Sequence, residues 1–321
     1  MRNPLQYVAK ALSFLREYAT DMWLFIKHNN HSPLEDRNRK AYFQTIILSH
    51  TIEKGLSLAM PRPLFGRNNV DAIVAQLRSY SKAYSEFPVG MATGALAAYR
   101  DFSADHAAAD DPTLSVIERY LDSEAAPGVE RTGGVKQVDA AGTVFPQSIV
   151  DFLKSRTSCR MFVPDALPRE QVDEVLTIAQ SAPSQCNRQS VRVHFYQERA
   201  RIASLLRLQA GAAGFSENVG NLFVVTSEIT AWGGPQQRNQ MYVDGGLYAM
   251  MLMLACHSQG IASCPLNLAV TNAVERKIKT VGDISANQRL IMMIAVGKTS
   301  APRIKAARSP RCRVAEVARF H

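Results

Sequence analysis

Two polar clusters in the middle of the chain carry the groups best suited to grip an anion. Ser155, Arg156, Ser158 and Arg160 form the first. An extended or irregular backbone can present both arginines, with a hydroxyl between them, to one phosphate, whose geometry the planar guanidinium fork matches. Ser184, Asn187, Arg188 and Gln189 form the second, in a loop rich in side-chain donors and acceptors. Between the clusters the sequence predicts an amphipathic helix from about Pro168 to Gln180. Pro168 suits the first helical position, Glu170 and Asp173 sit in the first turns, and Val172, Val175, Leu176 and Ala179 make the buried face. Pro183 stops the helix, and its two ends are expected to describe one binding site.

In this stretch the chain resembles the FMN-dependent nitroreductase superfamily. That family's S-R-x-S-x-R-x-F opening is similar to Ser155-Arg156-Thr157-Ser158-Cys159-Arg160-Met161-Phe162. Its A-P-S-x-x-N-x-Q loop is similar to Ala182-Pro183-Ser184-Gln185-Cys186-Asn187-Arg188-Gln189, where it then continues with proline and an aromatic residue and this chain has Ser190-Val191. The resemblance extends to a long central helix, through Asp244, Gly246, Ala249, Leu252, Leu254, Ala255 and Gly260, and to the G-x-x-x-C-P segment at Gly260 to Pro265. Arg311-Cys312-Arg313 is similar to the family's tail that returns to the phosphate, with Arg303, Lys305 and Arg308 as rival candidates. In all it covers about Pro146 to His321.

The resemblance implies an α+β, nitroreductase-like three-layer α-β-α sandwich with a mixed sheet, and a homodimer with FMN at the subunit interface. It implies FMN contacts from Arg156, Ser158, Arg160, Pro183, Ser184, Asn187, Gln189, Cys264, Pro265, Leu266, Arg311 and Arg313. Arg156, Arg160 and Arg313 would hold the phosphate, Ser158 and Asn187 ribityl or ring atoms, and Cys264 would pack beside the isoalloxazine. The implied activity takes hydride from NADH or NADPH and passes it by a ping-pong route through flavin N5 to a nitro, quinone or related small acceptor. Two other readings stay open: a flavin enzyme remodelling a metabolite without a nitro group, and a flavin-binding scaffold in polysaccharide assembly. No G-x-G-x-x-G fingerprint is present, in keeping with a nicotinamide that visits only transiently.

The elements that must position these groups follow from the rest of the 321 residues. A hydrophobic share of 46% and a charged share of 20% are those of a globular chain with a sizeable core. No uninterrupted apolar run approaches the ~20 residues needed to span a bilayer. Lys10, Arg16, Glu17 and Asp21 interrupt the first helix, which therefore lacks the apolar core of a secretory signal, and a cytoplasmic protein is expected. The five cysteines show no C-x-x-C and no histidines at ligand spacing, so neither a disulfide framework nor a metal site is predicted. A net charge of +9 invites a nucleic-acid reading, but the basic residues are dispersed except between Lys298 and Arg313, and no specific nucleic-acid partner is expected.

Residues 1–121 read as an all-helical N-terminal extension, 122–145 as a linker with turns and no sustained periodicity, and 146–321 as the cofactor-binding domain. In the first helix Leu5, Val8, Leu12, Leu15, Met22 and Ile26 make a stripe expected to pack within the protein. A second helix is predicted from Asn38 to Lys54, stopping at Gly55, and others near 70–84, 91–102 and 113–121. His50 and Glu53 lie on one face of the second helix, where His50 or Lys54 would either contribute to substrate selection or simply complement the helix dipole. Strands are predicted over 190–197, 221–226 (apolar enough to be central) and 289–296. Short helices are expected over 199–208 and 273–279, with a long helix from Gln237 to Gln259 that should be buried almost all round.

Overall fold

The structure, a computed structural model, describes residues 4–58, 61–81, 84–104, 111–124, 128–135, 147–299 and 314–321. The first part is helical, as its periodicity predicts: α1 (Pro4–His28), α2 (Arg37–Leu56), α3 (Arg67–Ser79), α4 (Phe87–Ala104) and α5 (Pro112–Arg119), the last continued by a π turn at Tyr120–Glu124. Asp36 caps α2 by accepting the Arg39 N–H, and Asp111 caps α5 by accepting that of Thr113. Ile52, Ile73, Val74, Ala92, Leu96, Tyr99 and Ile117 close into one apolar core. The expected stop at Gly55 does not occur, and α2 runs on to Leu56. Glycine is needed there for space, since a Cβ would overlap the Phe65 ring.

The stripe on α1 is a second correction. Val8, Leu12, Leu15, Met22 and Ile26 stay at the surface, Leu12 being 61% and Leu15 66% exposed. The other side of the helix is the one that docks. Leu24 and Phe25 pack with Phe43, Trp232 and Met241. Asn272 donates to Glu17 and Asp21, and Arg289 pairs with Asp21 at 2.9 Å. These polar anchors face the second half of the chain and leave Val8, Leu12 and Leu15 outward, while Met22 and Ile26, exposed as well, edge the cavity in the docking seam.

Part of the stretch expected as a linker is docked. The Thr132 N–H donates to Gly90 O at 3.1 Å, and that of Gly134 to Glu53 Oε1 at 3.0 Å. Just before the first polar cluster lies α6 (Gln147–Ser155), which the sequence reading missed. It has no buried residue, so its periodicity is that of a helix lying on a surface.

Alternation organises the second half. The strands β1 (Val191–Tyr196), β2 (Asn221–Glu228), β3 (Ala262–Asn267) and β4 (Gln288–Gly297) form a sheet in the order β1-β2-β4-β3. Leu222, Val224, Met293 and Ala295 point to one face, where α8 (Arg199–Gln209) and α10 (Asn272–Gly282) supply Ile202, Leu205 and Ile278. Phe223, Val225, Ile294 and Val296 point to the other, covered by Val172 and Val175 of α7 (Arg169–Ala179) and Ala249, Leu252 and Ala255 of α9 (Gln240–Ser258). The three layers are those expected, and β2 is central and buried throughout. Pro168 sits one position before α7, as its N-cap. A short α11 (Val314–Val317) follows near the end of the chain.

Pairing within the sheet is antiparallel, and among the described residues the parallel element of the expected mixed sheet is one isolated bridge, Ser158 to Ser263. The segment carrying Ser158 touches β3 at that residue and then crosses to Thr299 through an antiparallel bridge at Phe162, so no parallel ladder is built. β3 itself was not foreseen as a strand; it holds Pro265, which lacks an N–H and is tolerated at the sheet edge.

The expectation for α9 also needs correcting. Val243, Leu247 and Met250 are 52%, 45% and 43% exposed and share one face. The sheet of a single chain can cover only the opposite side. There a Cβ on Gly245 would stand 2.7 Å from Ile291, so this glycine sets the close approach of α9 to β4.

Candidate functional site

The first cluster follows α6 and is fixed by backbone. The Cys159 N–H donates to Ser263 O at 2.9 Å, which pins the run from Arg156 to Arg160 against the start of β3. Ser155 Oγ lies 2.7 Å from His257 Nε2, and the Phe152 ring stacks on the His257 ring at 5.0 Å. Burial, and then the nearby Arg156 charge, lower the His257 pKa, so its imidazole is neutral at pH 7. Arg156 and Ser263 line a cavity of about 290 Å³. One guanidinium nitrogen, Arg156 Nη1, is buried and has no hydrogen-bond partner among the described residues. Ser158 is half-buried and Arg160 exposed.

The second cluster is held by a residue the sequence reading did not single out for this role. Asp244, 2% exposed in the first turns of α9, accepts from Ser184 Oγ at 2.8 Å, from Gln185 N at 3.0 Å and from Gln240 Nε2 at 2.9 Å. Ser184 Oγ in turn accepts the Gln189 N–H at 2.9 Å. This clamp holds a loop in which Cys186, Asn187 and Gln189 have φ of 51°, 51° and 50°. Left-handed conformations cost non-glycine residues about 1–2 kcal/mol each and persist where the surroundings impose them, often at functional sites. The signal for Asp244 was a lone acid at the head of an apolar helix.

A cavity of about 310 Å³ opens at this loop, lined by Pro183, Ser184, Gln189 and Tyr248 together with Tyr42 and Phe87 from the N-terminal helices. The extension therefore reaches the second cluster, though not through the residues anticipated. His50 lies 3.4 Å from Glu53, and Lys54 is exposed in the last turn of α2; neither lines a cavity described here. Asn187 Nδ2 sits 3.9 Å from Met91 Sδ, beneath α4.

The single chain does not bring the two clusters together. Their cavities share no lining residue, and the clusters stand at opposite ends of α9, at Asp244 and at His257, roughly 20 Å apart along the helix. Cys264 is 1% exposed and points into the sheet core with Cys159 and Ala295, where burial raises its pKa; any contact with a bound ring would come from backbone. Pro265 is half-buried and Leu266 is a core residue. Arg311 and Arg313 lie outside the described residues. A larger cavity, about 810 Å³, lies in the docking seam of α1, between Tyr18, Met22 and Phe25 and the start of α9, and holds none of the anticipated residues. Among the described residues no group of acids, histidines and cysteines is placed to hold a metal ion, and no helix is long and apolar enough to cross a membrane.

A layered α+β domain thus carries an arginine-hydroxyl cluster against the edge of its sheet. Residues 153–298, somewhat under half of the chain, match the sequence profile of the Nitroreductase family. A nitroreductase-like protein from Streptococcus mutans is similar at 24% identity over 55% of this chain and 98% of that one, with a TM-score of 0.48. An FMN-dependent nitroreductase from Clostridium difficile R20291 is similar at 18% identity over 50% of this chain and 92% of that one, with a TM-score of 0.43. No curated protein matches this chain.

Proposed function

We propose that the protein is an FMN-dependent oxidoreductase that takes hydride from NADH or NADPH and delivers it to a small acceptor such as a nitroaromatic or a quinone. The observation that carries this reading is Arg156 Nη1, buried and unpartnered in the segment that matches the family profile. An unpaired guanidinium N–H is costly to bury and suits a phosphate oxygen. Bound FMN would supply a carrier that accepts and donates hydride at N5. Arg156 would hold its phosphate, with Arg160 closing from the surface, and Ser158 would meet ribityl or ring atoms. Ser184, Asn187 and Gln189 offer hydroxyl and amide groups to polar atoms of the cofactor, in a loop already fixed by Asp244. Tyr42, Phe87 and Tyr248 give the adjoining cavity an apolar wall on which a flat acceptor can lie.

The site is proposed to form in a homodimer. If two copies of α9 meet antiparallel through Val243, Leu247 and Met250, the Asp244 end of one faces the His257 end of the other. Each site then combines the first cluster of one copy with the second cluster of its partner. Residues 146–321 are the proposed catalytic domain, 1–121 an extension that shapes the acceptor side, and 122–145 the connection. The cytoplasm, where reduced nicotinamide is supplied, is the proposed compartment.

Visible absorption of the purified protein, before and after anaerobic NADH or NADPH, tests this reading. Flavin bands that bleach with reductant and are lost in Arg156→Ala are expected. A colourless protein that takes up no added FMN would overturn it.

A further inference from the structure

Arg188 is buried and, among the described residues, forms no ion pair. It is 5% exposed, and its guanidinium carbon lies 5.1 Å from the centroid of the Trp232 ring. Nη1 donates to Gln185 Oε1 at 3.1 Å, while Nε is buried with no hydrogen-bond partner. Asp244 acts on it electrostatically but is already held by Ser184, Gln185 and Gln240. Burying an unpaired charge is costly, and a fold keeps one where a bound group compensates.

A cavity of about 560 Å³ opens at this arginine. Carboxamides make much of its wall: Asn30, Gln44, Gln76, Gln236 and Gln237 all line it, and no acidic residue does. Gln44 Nε2 donates to Asn30 Oδ1, and Gln237 Oε1 accepts from Gly233 N, which leaves the Gln44 oxygen and the Gln237 nitrogen for a ligand. The cavity shares no lining residue with the one at Ser184 and Gln189.

We propose that this chamber binds a small hydroxylated carboxylate, its carboxylate on Arg188 and its hydroxyls on the amide wall. One cation matches one negative charge, and the guanidinium fork fits a carboxylate. Carboxamides both donate and accept, as hydroxyls do. The inference goes beyond the flavin reading and does not depend on it.

Isothermal titration of the full chain, with and without FMN, provides the test. Gluconate is the probe, glucitol its uncharged counterpart and inorganic phosphate the rival anion. Gluconate should bind at least about 10-fold more tightly than glucitol or phosphate, and at least about 10-fold more tightly than it binds Arg188→Met. Without ligand, Arg188→Met should melt at or above the wild-type temperature, because an unpaired buried charge is gone. Tighter binding of phosphate, no binding of gluconate, or a lowered melting temperature in Arg188→Met would each overturn the proposal. Should Arg188→Met fail to fold, Gln44→Leu decides: a loss of about 5-fold or more in gluconate affinity supports the chamber, and unchanged affinity overturns it. Turnover enters none of these readouts, so failure here leaves the flavin reading standing.

Discussion

The Asp244 carboxylate accepts the Ser184 hydroxyl at 2.8 Å, tying the head of α9 to the loop that follows α7. Hydrogen bonds to a charged group contribute about 1.5–3 kcal/mol each, and this carboxylate accepts from three side-chain and backbone donors. Asp244→Ala should therefore lower the free energy of unfolding in urea by about 3 kcal/mol, with Asp244→Asn less damaging because its amide oxygen still accepts. A change below about 0.5 kcal/mol would mean that the loop holds its shape unaided.

The outer face of α9 makes a separate prediction about assembly. Leu247→Glu and Met250→Glu add charge where the single chain buries nothing, so circular dichroism and melting should change little. Light scattering should show the species shift from dimer to monomer. A wild-type protein that is monomeric at micromolar concentration would remove the proposed interface.

His257 gives a pH dependence whose sign is fixed by its environment. Its folded pKa lies below the ordinary 6.5 because of burial and then the Arg156 charge, so below pH 6.5 the unfolded chain binds the proton more readily. Its contribution to stability is complete above pH 6.5 and is lost as the pH falls through 6.5 toward the folded value. Between pH 7.5 and about 5.5, wild type should lose more melting temperature than His257→Gln. Parallel curves for the two proteins would contradict that placement.

Thiol chemistry separates the cysteines. Cys256 is 0% exposed with its pKa pushed up to about 12 by burial, and Cys264 is raised for the same reason. Brief alkylation of the folded protein with iodoacetamide, read by peptide mapping, should label the half-exposed Cys186 and spare Cys256 and Cys264. Rapid labelling of Cys264 would reopen its reading as a redox thiol.

What the sequence disclosed was whatever a local pattern can encode. The α7 face of Val172, Val175 and Ala179 and the buried run of β2 are periodicities and lie where expected, whereas the two polar clusters, legible as short motifs, are held apart in the single chain. What it concealed depends on partners distant in the chain. The stripe of α1 looked like a core face because its rival anchors, Glu17 and Asp21, find Asn272 and Arg289 more than two hundred residues away. Asp244 gave no sign that its partner was Ser184. Tyr42 read only as a helix residue and Phe87 fell between two predicted helices, whereas the folded chain sets both beside Ser184 and Gln189. The spacing of His50 and Glu53 did foretell their proximity, at 3.4 Å, but not whether His50 or Lys54 reaches a cavity.

Placing the two clusters at opposite ends of α9 has a consequence for mixed populations of defective chains. A copy carrying Arg156→Ala keeps an intact second cluster, and a copy carrying Ser184→Ala keeps an intact first one. If the proposed dimer forms, about half of the randomly formed pairs in a co-expression are mixed, and each mixed pair rebuilds one whole site from its undamaged halves. Two inactive variants should therefore complement each other to about a quarter of the wild-type rate, a rescue that no site confined to one chain permits.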